Sequence, residues 1–304
     1  MKQTFLITGG AGFIGTNLAE YLVAKGHKTI VVDDLSAGDH QSRLPESVIF
    51  HKIDIRDTEA LRKVCQDVDV IIHLAALPRV QFSIENPQKT HDVNINGTLS
   101  VLESARAAGV KRIVYAASSS AYGDQETLPL SLDLPSQPKS PYALHKYFGE
   151  QMMKLWSDLY GIETVSLRFF NVYGPHLDPN GPYALVIGRF LQLVTENKPL
   201  TITGDGTQTR DFTHVLDVID AIMKSAILDT VGHGEVFNVG AGEQTSINDL
   251  AKMISGKVEY IDARHEPKHT MADISKTKEI LGWEPTVKLI DGILELKKQA
   301  GLIS

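Results

Sequence analysis

Thr4-Phe5-Leu6-Ile7-Thr8 runs straight into Gly9-Gly10-Ala11-Gly12-Phe13-Ile14-Gly15, and this junction decides the fold. The first run is short and apolar, as a strand buried on both faces should be, and the stretch from Thr16 to Lys25 reads as a helix. Between them the glycines are spaced Gly-x-x-Gly-x-x-Gly. Glycine lets a backbone turn sharply and come close to a pyrophosphate, while a helix start nearby aims its free N–H groups at the anion. The same residues also fit a plain strand-to-helix turn that holds nothing.

Working outward, short runs rich in β-branched residues recur at Thr29 to Val32, Val48 to Ile49, Val70 to Leu74, Arg112 to Ala116 and Glu163 to Leu167. Helix-like stretches lie between them at Glu59 to Cys65, Val93 to Ala108 and Tyr142 to Tyr160. That alternation predicts an α/β fold with a parallel, doubly wound sheet of the Rossmann type. No repeat of solenoid length interrupts it. The second strand ends at Val32 and Asp33-Asp34 follows, placing a carboxylate at a strand tip where it would accept hydrogen bonds from both hydroxyls of an adenosine ribose and repel a 2′-phosphate. NAD is therefore expected over NADP.

Composition limits the partners. The chain has 304 residues, ample for one large α/β domain or a domain with a smaller lobe, and a formal charge of −7. That balance offers no basic field for nucleic acid or an anionic membrane, so any phosphate needs a local device. Cys65 is the only cysteine, which rules out internal disulfides and cysteine-rich metal sites and suits a reducing compartment; it is expected as a small buried apolar residue. No His-Glu-x-x-His or other metal-ligand spacing occurs, and no apolar run reaches membrane-spanning length. A soluble cytoplasmic protein is the expectation.

Ser140-Pro141-Tyr142-Ala143-Leu144-His145-Lys146 puts a phenol and an ammonium on one face of a helix start, with Pro141 suited to the first turn and Ser140 to the cap. A Tyr-x-x-x-Lys pair alone also arises by chance on surface helices. Upstream, Ser118-Ser119-Ser120-Ala121-Tyr122-Gly123 ends the fifth strand, a place where serines commonly serve only as caps or turns.

Taken together, the glycine spacing, Tyr142 and Lys146 resemble the extended short-chain dehydrogenase/reductase family, and the resemblance runs over nearly the whole chain. It implies Ser118, Tyr142 and Lys146 as the catalytic group. It also implies a cofactor site of Gly9, Gly12, Phe13, Ile14, Gly15, Asp33, Asp34, Ser36, Gly38, Asp54, Ile55, Leu74, Ala75, Ala76, Asn94 and Phe170, besides Tyr142 and Lys146. Sugar-nucleotide dehydratases of the family carry Asp-Glu after the catalytic hydroxyl, where this chain has Ser119 and Ser120. Elimination of water is accordingly not expected.

Leu167-Arg168-Phe169-Phe170-Asn171-Val172-Tyr173-Gly174-Pro175 resembles the UDP-sugar epimerases. The resemblance implies that Asn171 and Arg210 hold the diphosphate, that Leu185 lies over the uracil, that Arg264 takes a phosphate and Glu266 the uridine ribose, and that Ser83 and Thr201 complete the substrate contacts. Arg210 would otherwise serve a structural pair with Asp211 or Asp217. Thr270 matches a position beside the sugar that is a bulky tyrosine in galactose-restricted epimerases, so an N-acetyl group has room. Uronate-specific relatives often carry Arg-Pro-Asp-Met after the Gly-Pro segment, where this chain has Leu177-Asp178-Pro179-Asn180.

The expected activity is NAD-dependent 4-epimerisation of a UDP-hexose, with a UDP-glucuronate 4-epimerase or another nucleotide-sugar oxidoreductase as the alternative and a non-catalytic NAD sensor behind both. Residues 1–171 plus 211–242 would form the dinucleotide domain, and 172–210 plus 243–304 the nucleotide-sugar lobe. A Gly204-Asp205-Gly206 hairpin, a helix from Ala184 to Glu196, a strand at Val236 to Val239 and a helix from Ile247 to Ser255 capped by Thr245 or Ser246 are expected there. Family homodimers suggest that the helices from Val93 and Tyr142 pair across a two-fold axis, although their apolar faces would also fit against the sheet.

Overall fold

The computed structural model describes residues 2–177, 185–262 and 268–303. Its first half alternates β1 (Thr4–Thr8), α1 (Phe13–Ala24), β2 (Lys28–Asp33), β3 (Ile49–Lys52), α2 (Thr58–Val64), β4 (Val70–His73), α3 (Val80–Glu85), α4 (Pro87–His91), α5 (Gly97–Ala108), β5 (Arg112–Ser118), α6 (Pro141–Tyr160) and β6 (Glu163–Phe169). The second half carries β7 (Val172–Tyr173), α7 (Val186–Thr195), β8 (Leu200–Thr203), β9 (Thr209–Arg210), β10 (Thr213–His214), α8 (Val215–Ile227), β11 (His233–Val239), β12 (Thr245–Ser246), α9 (Ile247–Ile254), β13 (Val258–Ile261), α10 (Ser275–Leu281) and α11 (Leu289–Gln299).

Seven strands form one parallel sheet in the order β11-β6-β5-β4-β1-β2-β3. The order reverses between β1 and β4, and a ligand of such a sheet lies in the crevice beyond the strand ends at that point. Alternate side chains of each strand enter opposite layers, so Phe5 and Ile7 pack with α1 and α8 while Leu6 packs with α2, α5 and α6. Cys65 is buried in the second layer. His73, fully buried, ties three elements together through Thr8 Oγ1 at 2.7 Å and Thr98 Oγ1 at 3.0 Å. Burial pushes its imidazole down to about 3, so it stays neutral.

A separate apolar cluster from α7, β8, α9 and α11 builds the smaller lobe. Trp283 reaches back from beyond α10 into the sheet layer of α8, fully buried, and its indole N–H donates to Asp217 O at 2.9 Å. Among the described residues, no helix is long and apolar enough to cross a membrane.

Two local expectations change. Gly204-Asp205-Gly206 does not close a hairpin: β8 pairs in parallel with β13, and β9 pairs antiparallel with β12. Strands distant in sequence outcompete the local turn because they let α7 and α9 cover one apolar cluster. The helix expected from Val93 opens as a π-helical turn over Asp92–Asn96 before α5 begins. Ser246, rather than Thr245, caps α9, its Oγ accepting from Asp249 N–H at 3.0 Å.

Candidate active site

The glycine turn is held by contacts that a side chain would break. A Cβ on Gly9 would sit 2.8 Å from Ala75, one on Gly10 2.7 Å from Val31 Cγ1, and one on Gly15 2.5 Å from Gly10 Cα. Gly9 also has φ +68°, the left-handed region that favours glycine. Gly12 is the N-cap of α1, and among the described residues no side chain caps that helix, which leaves its first N–H groups available to an anion. The cradle fits a diphosphate. Asp33 stands beside it, accepting from Ala11 N–H at 3.0 Å and Leu35 N–H at 2.8 Å. Burial raises its carboxyl above the usual range, opposed by those two bonds.

Other cofactor candidates line the same sheet edge in different ways. Asp34 accepts from Ser36 N–H at 2.9 Å, and Gly38, with φ +135°, donates to Leu35 O at 3.1 Å, so this segment forms a compact turn after β2. Asp54 is clamped by Arg56, which also reaches Asp92, and Arg56 holds its carboxyl below the usual range. Ile55 packs into the core beneath. Leu74, Ala75 and Ala76 are half-buried at the end of β4. Asn94 is buried and spends its amide on Leu77, accepting from N–H at 2.8 Å and donating to O at 3.1 Å. It braces the chain after β4. Phe170 is fully buried against Tyr122, Leu130 and Ala272, so its ring is part of the core.

The reactive group lies at the end of β5. Ser140 caps α6, accepting from Ala143 N–H at 3.1 Å, and Pro141 fills the first turn. This fixes Tyr142 half-buried at the start of α6, its N–H donating to Ser83 Oγ at 3.1 Å. One turn on, buried Lys146 donates to Ala116 O at 2.7 Å and sits 4.8 Å over the ring of Tyr115. Burial raises the Tyr142 phenol above its ordinary value, and the Ser118 hydroxyl opposes that shift. Lys146 is pushed down to about 7 by burial, against the pull of Glu150. Sealing Lys146 between α6 and the sheet thus works against its charged form.

Ser83 departs from the expected substrate contact. It is fully buried, donates to Val80 O at 2.6 Å and accepts from Tyr142 N–H at 3.1 Å, so it pins the start of α6.

In the lobe, Asn171 has φ +25° and donates to Asp211 O at 2.9 Å. Arg210 donates to Thr209 O at 2.9 Å and Lys268 O at 3.4 Å. Asp211 is engaged by Ala241, Gly242 and Ala272 N–H groups, and Asp217 by Thr286 and Val287. Thr270 Oγ1 accepts from Asp211 N–H at 3.4 Å, which brings Thr270, Arg210 and Asn171 to one corner. Leu185 is exposed at the start of α7, and Thr201 lies in β8 opposite Glu259. The stretch Asp178 to Tyr183 with Ala184, and Arg264 and Glu266, lie outside the described residues.

The sequence reading passed over Glu150 and Arg168. They form a buried pair, Arg168 Nε to Glu150 Oε1 at 2.9 Å and Nη2 to Oε2 at 2.8 Å, and the guanidinium stacks 4.5 Å over Tyr122. A signal existed, since Tyr142, Lys146 and Glu150 recur at every fourth position on one face of α6.

Sheet order, glycine cradle and a Ser-Tyr-Lys group at the switch-point crevice define a dinucleotide-dependent enzyme of the Rossmann class. The chain belongs to the NAD dependent epimerase/dehydratase family, whose model matches residues 5–240. It is 39% identical over 297 residues to a putative UDP-glucose 4-epimerase of Methanocaldococcus jannaschii, covering 95% of each chain. Among solved structures, UDP-glucose 4-epimerase of Thermotoga maritima with UDP-glucose aligns with a TM-score of 0.91 and 33% identity, over 97% of this chain and 99% of that one. UDP-glucuronic acid 4-epimerase of Bacillus cereus, in complex with UDP-glucuronic acid and NAD, aligns with a TM-score of 0.89 and 35% identity, over 99% of this chain and 100% of its own.

Proposed function

We propose that this protein inverts C4 of a UDP-hexose, using NAD held in the crevice between β1 and β4. The observation that carries the reading is the end of β5. Ser118 ends that strand, buried Lys146 donates to Ala116 O at 2.7 Å two residues before it, and the next two positions, Ser119 and Ser120, offer hydroxyls and no ionisable group.

Bound NAD would supply the redox half of the reaction, hydride acceptance from C4 and hydride donation back to a 4-keto sugar turned to present its other face. The chain supplies the proton half. Tyr142 Oη takes the proton of the 4-hydroxyl as the carbonyl forms and gives it back as the carbonyl is reduced, so one base serves both directions. Ser118 orients the exchange by hydrogen bonding. Lys146 favours the phenolate when charged, which its position over Tyr115 and its bond to Ala116 O keep within one helical turn of the phenol.

Gly9, Gly12, Phe13, Ile14 and Gly15 hold the pyrophosphate in this reading, with Asp33 on the adenosine ribose. Asn171, Arg210, Leu185, Thr201, Arg264, Glu266 and Thr270 anchor the UDP-sugar while the keto intermediate turns. Residues 1–171 plus 211–242 act as the dinucleotide domain and 172–210 plus 243–304 as the sugar-nucleotide lobe, a division supported by the separate apolar cluster of the lobe. The protein works as a cytoplasmic homodimer. Support for the dimer comes from Leu144, Phe148, Leu155 and Leu159, large apolar side chains left exposed on α6, with Leu99 exposed on α5.

Purified protein incubated with UDP-glucose, UDP-N-acetylglucosamine or UDP-glucuronate, without added reductant, should yield the C4 epimer of at least one of the first two by NMR. No epimer from any would sink the reading, and epimer from UDP-glucuronate alone would move it to the uronate. Tyr142→Phe should abolish turnover while NAD and UDP binding by calorimetry stay close to wild type; retained turnover would remove Tyr142 as the base.

A further inference from the structure

The Asp211 carboxylate is wholly buried, and backbone N–H groups from two separate stretches of chain converge on it. Oδ1 accepts from Ala241 N–H at 2.6 Å, and Oδ2 from Gly242 N–H at 3.0 Å and Ala272 N–H at 2.9 Å. The first two amides follow the end of β11, and the third lies two residues beyond Thr270. The backbone of Asp211 extends the tie. Its N–H donates to Thr270 Oγ1 at 3.4 Å and its C=O accepts from Asn171 Nδ2 at 2.9 Å, while Thr270 N–H donates to Thr209 O at 3.3 Å. A Cβ on Gly240 would lie 2.8 Å from Asp211 Oδ2, so glycine at that position keeps the seat of the carboxylate open.

We propose that Asp211 is a positioning residue for the sugar nucleotide, its carboxylate holding Asn171, Arg210 and Thr270 in one corner. The inference rests on the assignment of that corner to the UDP-sugar and adds what keeps it assembled. Each stretch tied to Asp211 carries or adjoins a residue of that assignment: Arg210 precedes it in the chain, Asn171 reaches its carbonyl, and Thr270 and Ala272 belong to one run. None of these bonds goes to the glycine turn or to Ser118, Tyr142 and Lys146. Loss of the carboxylate therefore acts on sugar-nucleotide affinity and leaves the NAD cradle and the base where they are. A carboxylate suits the place because both of its oxygens only accept, whereas the amide head of asparagine is a donor on one side. In Asp211→Asn that NH2 group faces either Ala241 N–H or the pair from Gly242 and Ala272, and the corner opens on that side.

The test uses UDP as the calorimetric probe of the NAD-loaded enzyme. Asp211→Asn should weaken UDP binding about tenfold, the size of one hydrogen bond to a charged group, while NAD affinity of the NAD-free protein stays close to wild type. In turnover assays KM for the UDP-hexose should rise by a similar factor, and kcat should fall far less, as expected when binding common to ground and transition states is lost. A general structural defect would instead lower kcat and NAD affinity together with KM unchanged, and that result would overturn the proposal, as would unchanged UDP affinity. If Asp211→Asn does not fold, Gly240→Ala decides: it crowds Oδ2 and keeps the carboxylate, so UDP affinity should fall with NAD affinity intact, and no fall would overturn the proposal. Amide hydrogen exchange reads the same tie without ligand. Protection at Ala241, Gly242 and Ala272 should drop in Asp211→Asn while amides of β5 and β6 keep theirs, and unchanged protection at those three would overturn the proposal whatever the sugar. Wild-type protein that binds no UDP sinks the function proposed above, a failure visible before any variant is made.

Discussion

Replacing Lys146 with methionine should abolish turnover and at the same time stabilise the NAD-free protein at neutral pH. Lys146 is buried, and its ammonium is pushed from an ordinary 10.5 down to about 7. A shift of that size corresponds to about 4 kcal/mol of burial cost carried by the folded state at neutral pH, at about 1.4 kcal/mol per pKa unit. Methionine removes the cost but leaves Ala116 O without its 2.7 Å donor, a loss of about 1–3 kcal/mol. The net gain is about 1–3 kcal/mol, or a rise in Tm of about 2–6 °C for a chain this long. The sign reverses with pH. Because the folded pKa lies below the unfolded one, the folded protein binds fewer protons between about pH 7 and 10.5, and wild-type stability rises across that window. The variant's advantage is full below about pH 7, shrinks as pH climbs, and turns into a deficit between about pH 8 and 10, until near pH 10.5 only the lost hydrogen bond remains. Calorimetric scans of both NAD-free proteins across that range would check this. A variant less stable than wild type at neutral pH, or a difference that does not change with pH, would refute the reasoning.

Two further outcomes follow from the same contacts. Glu150→Ala strands the buried Arg168 guanidinium and should cost about 3–5 kcal/mol in denaturant unfolding, while the double replacement Glu150→Met with Arg168→Met should recover most of it; a double variant as unstable as the single would show that the pair's charges are not the issue. Thr270→Tyr should depress turnover of N-acetylated UDP-sugars more than that of UDP-glucose in steady-state assays, and equal loss on both would remove the size argument.

Much of the sheet was legible because its strands are short, apolar and separated by helices of clear period. β1, β2, β4, β5 and β6 stand within a residue or two of where alternation puts them, and Ser140 caps α6 as its residue type suggests. What could not be read depends on partners far away in the chain. The pairing of β8 with β13 joins segments some sixty residues apart, with Leu200 opposite Val258, and nothing in Gly204-Asp205-Gly206 announces it. The buried serine at 83 and asparagine at 94 carry residue types that suit a ligand or a brace equally well. Only their surroundings, the N–H of Tyr142 and the backbone of Leu77, show how they are engaged.

The four-residue rhythm of Tyr142, Lys146 and Glu150 also says where this chain can tolerate insertions and deletions. Each residue added inside a helix turns everything beyond it by about 100°, so one insertion between Tyr142 and Lys146 would swing both the ammonium and the Glu150 carboxylate out of line with Tyr142. The segment from Gly123 to Lys139 that leads into α6 is pinned as well, Leu130 donating to Met271 O at 2.7 Å and Gln137 to Ala121 O at 3.0 Å before Ser140 caps the helix. Homologues should therefore keep an unbroken count within the first half of α6.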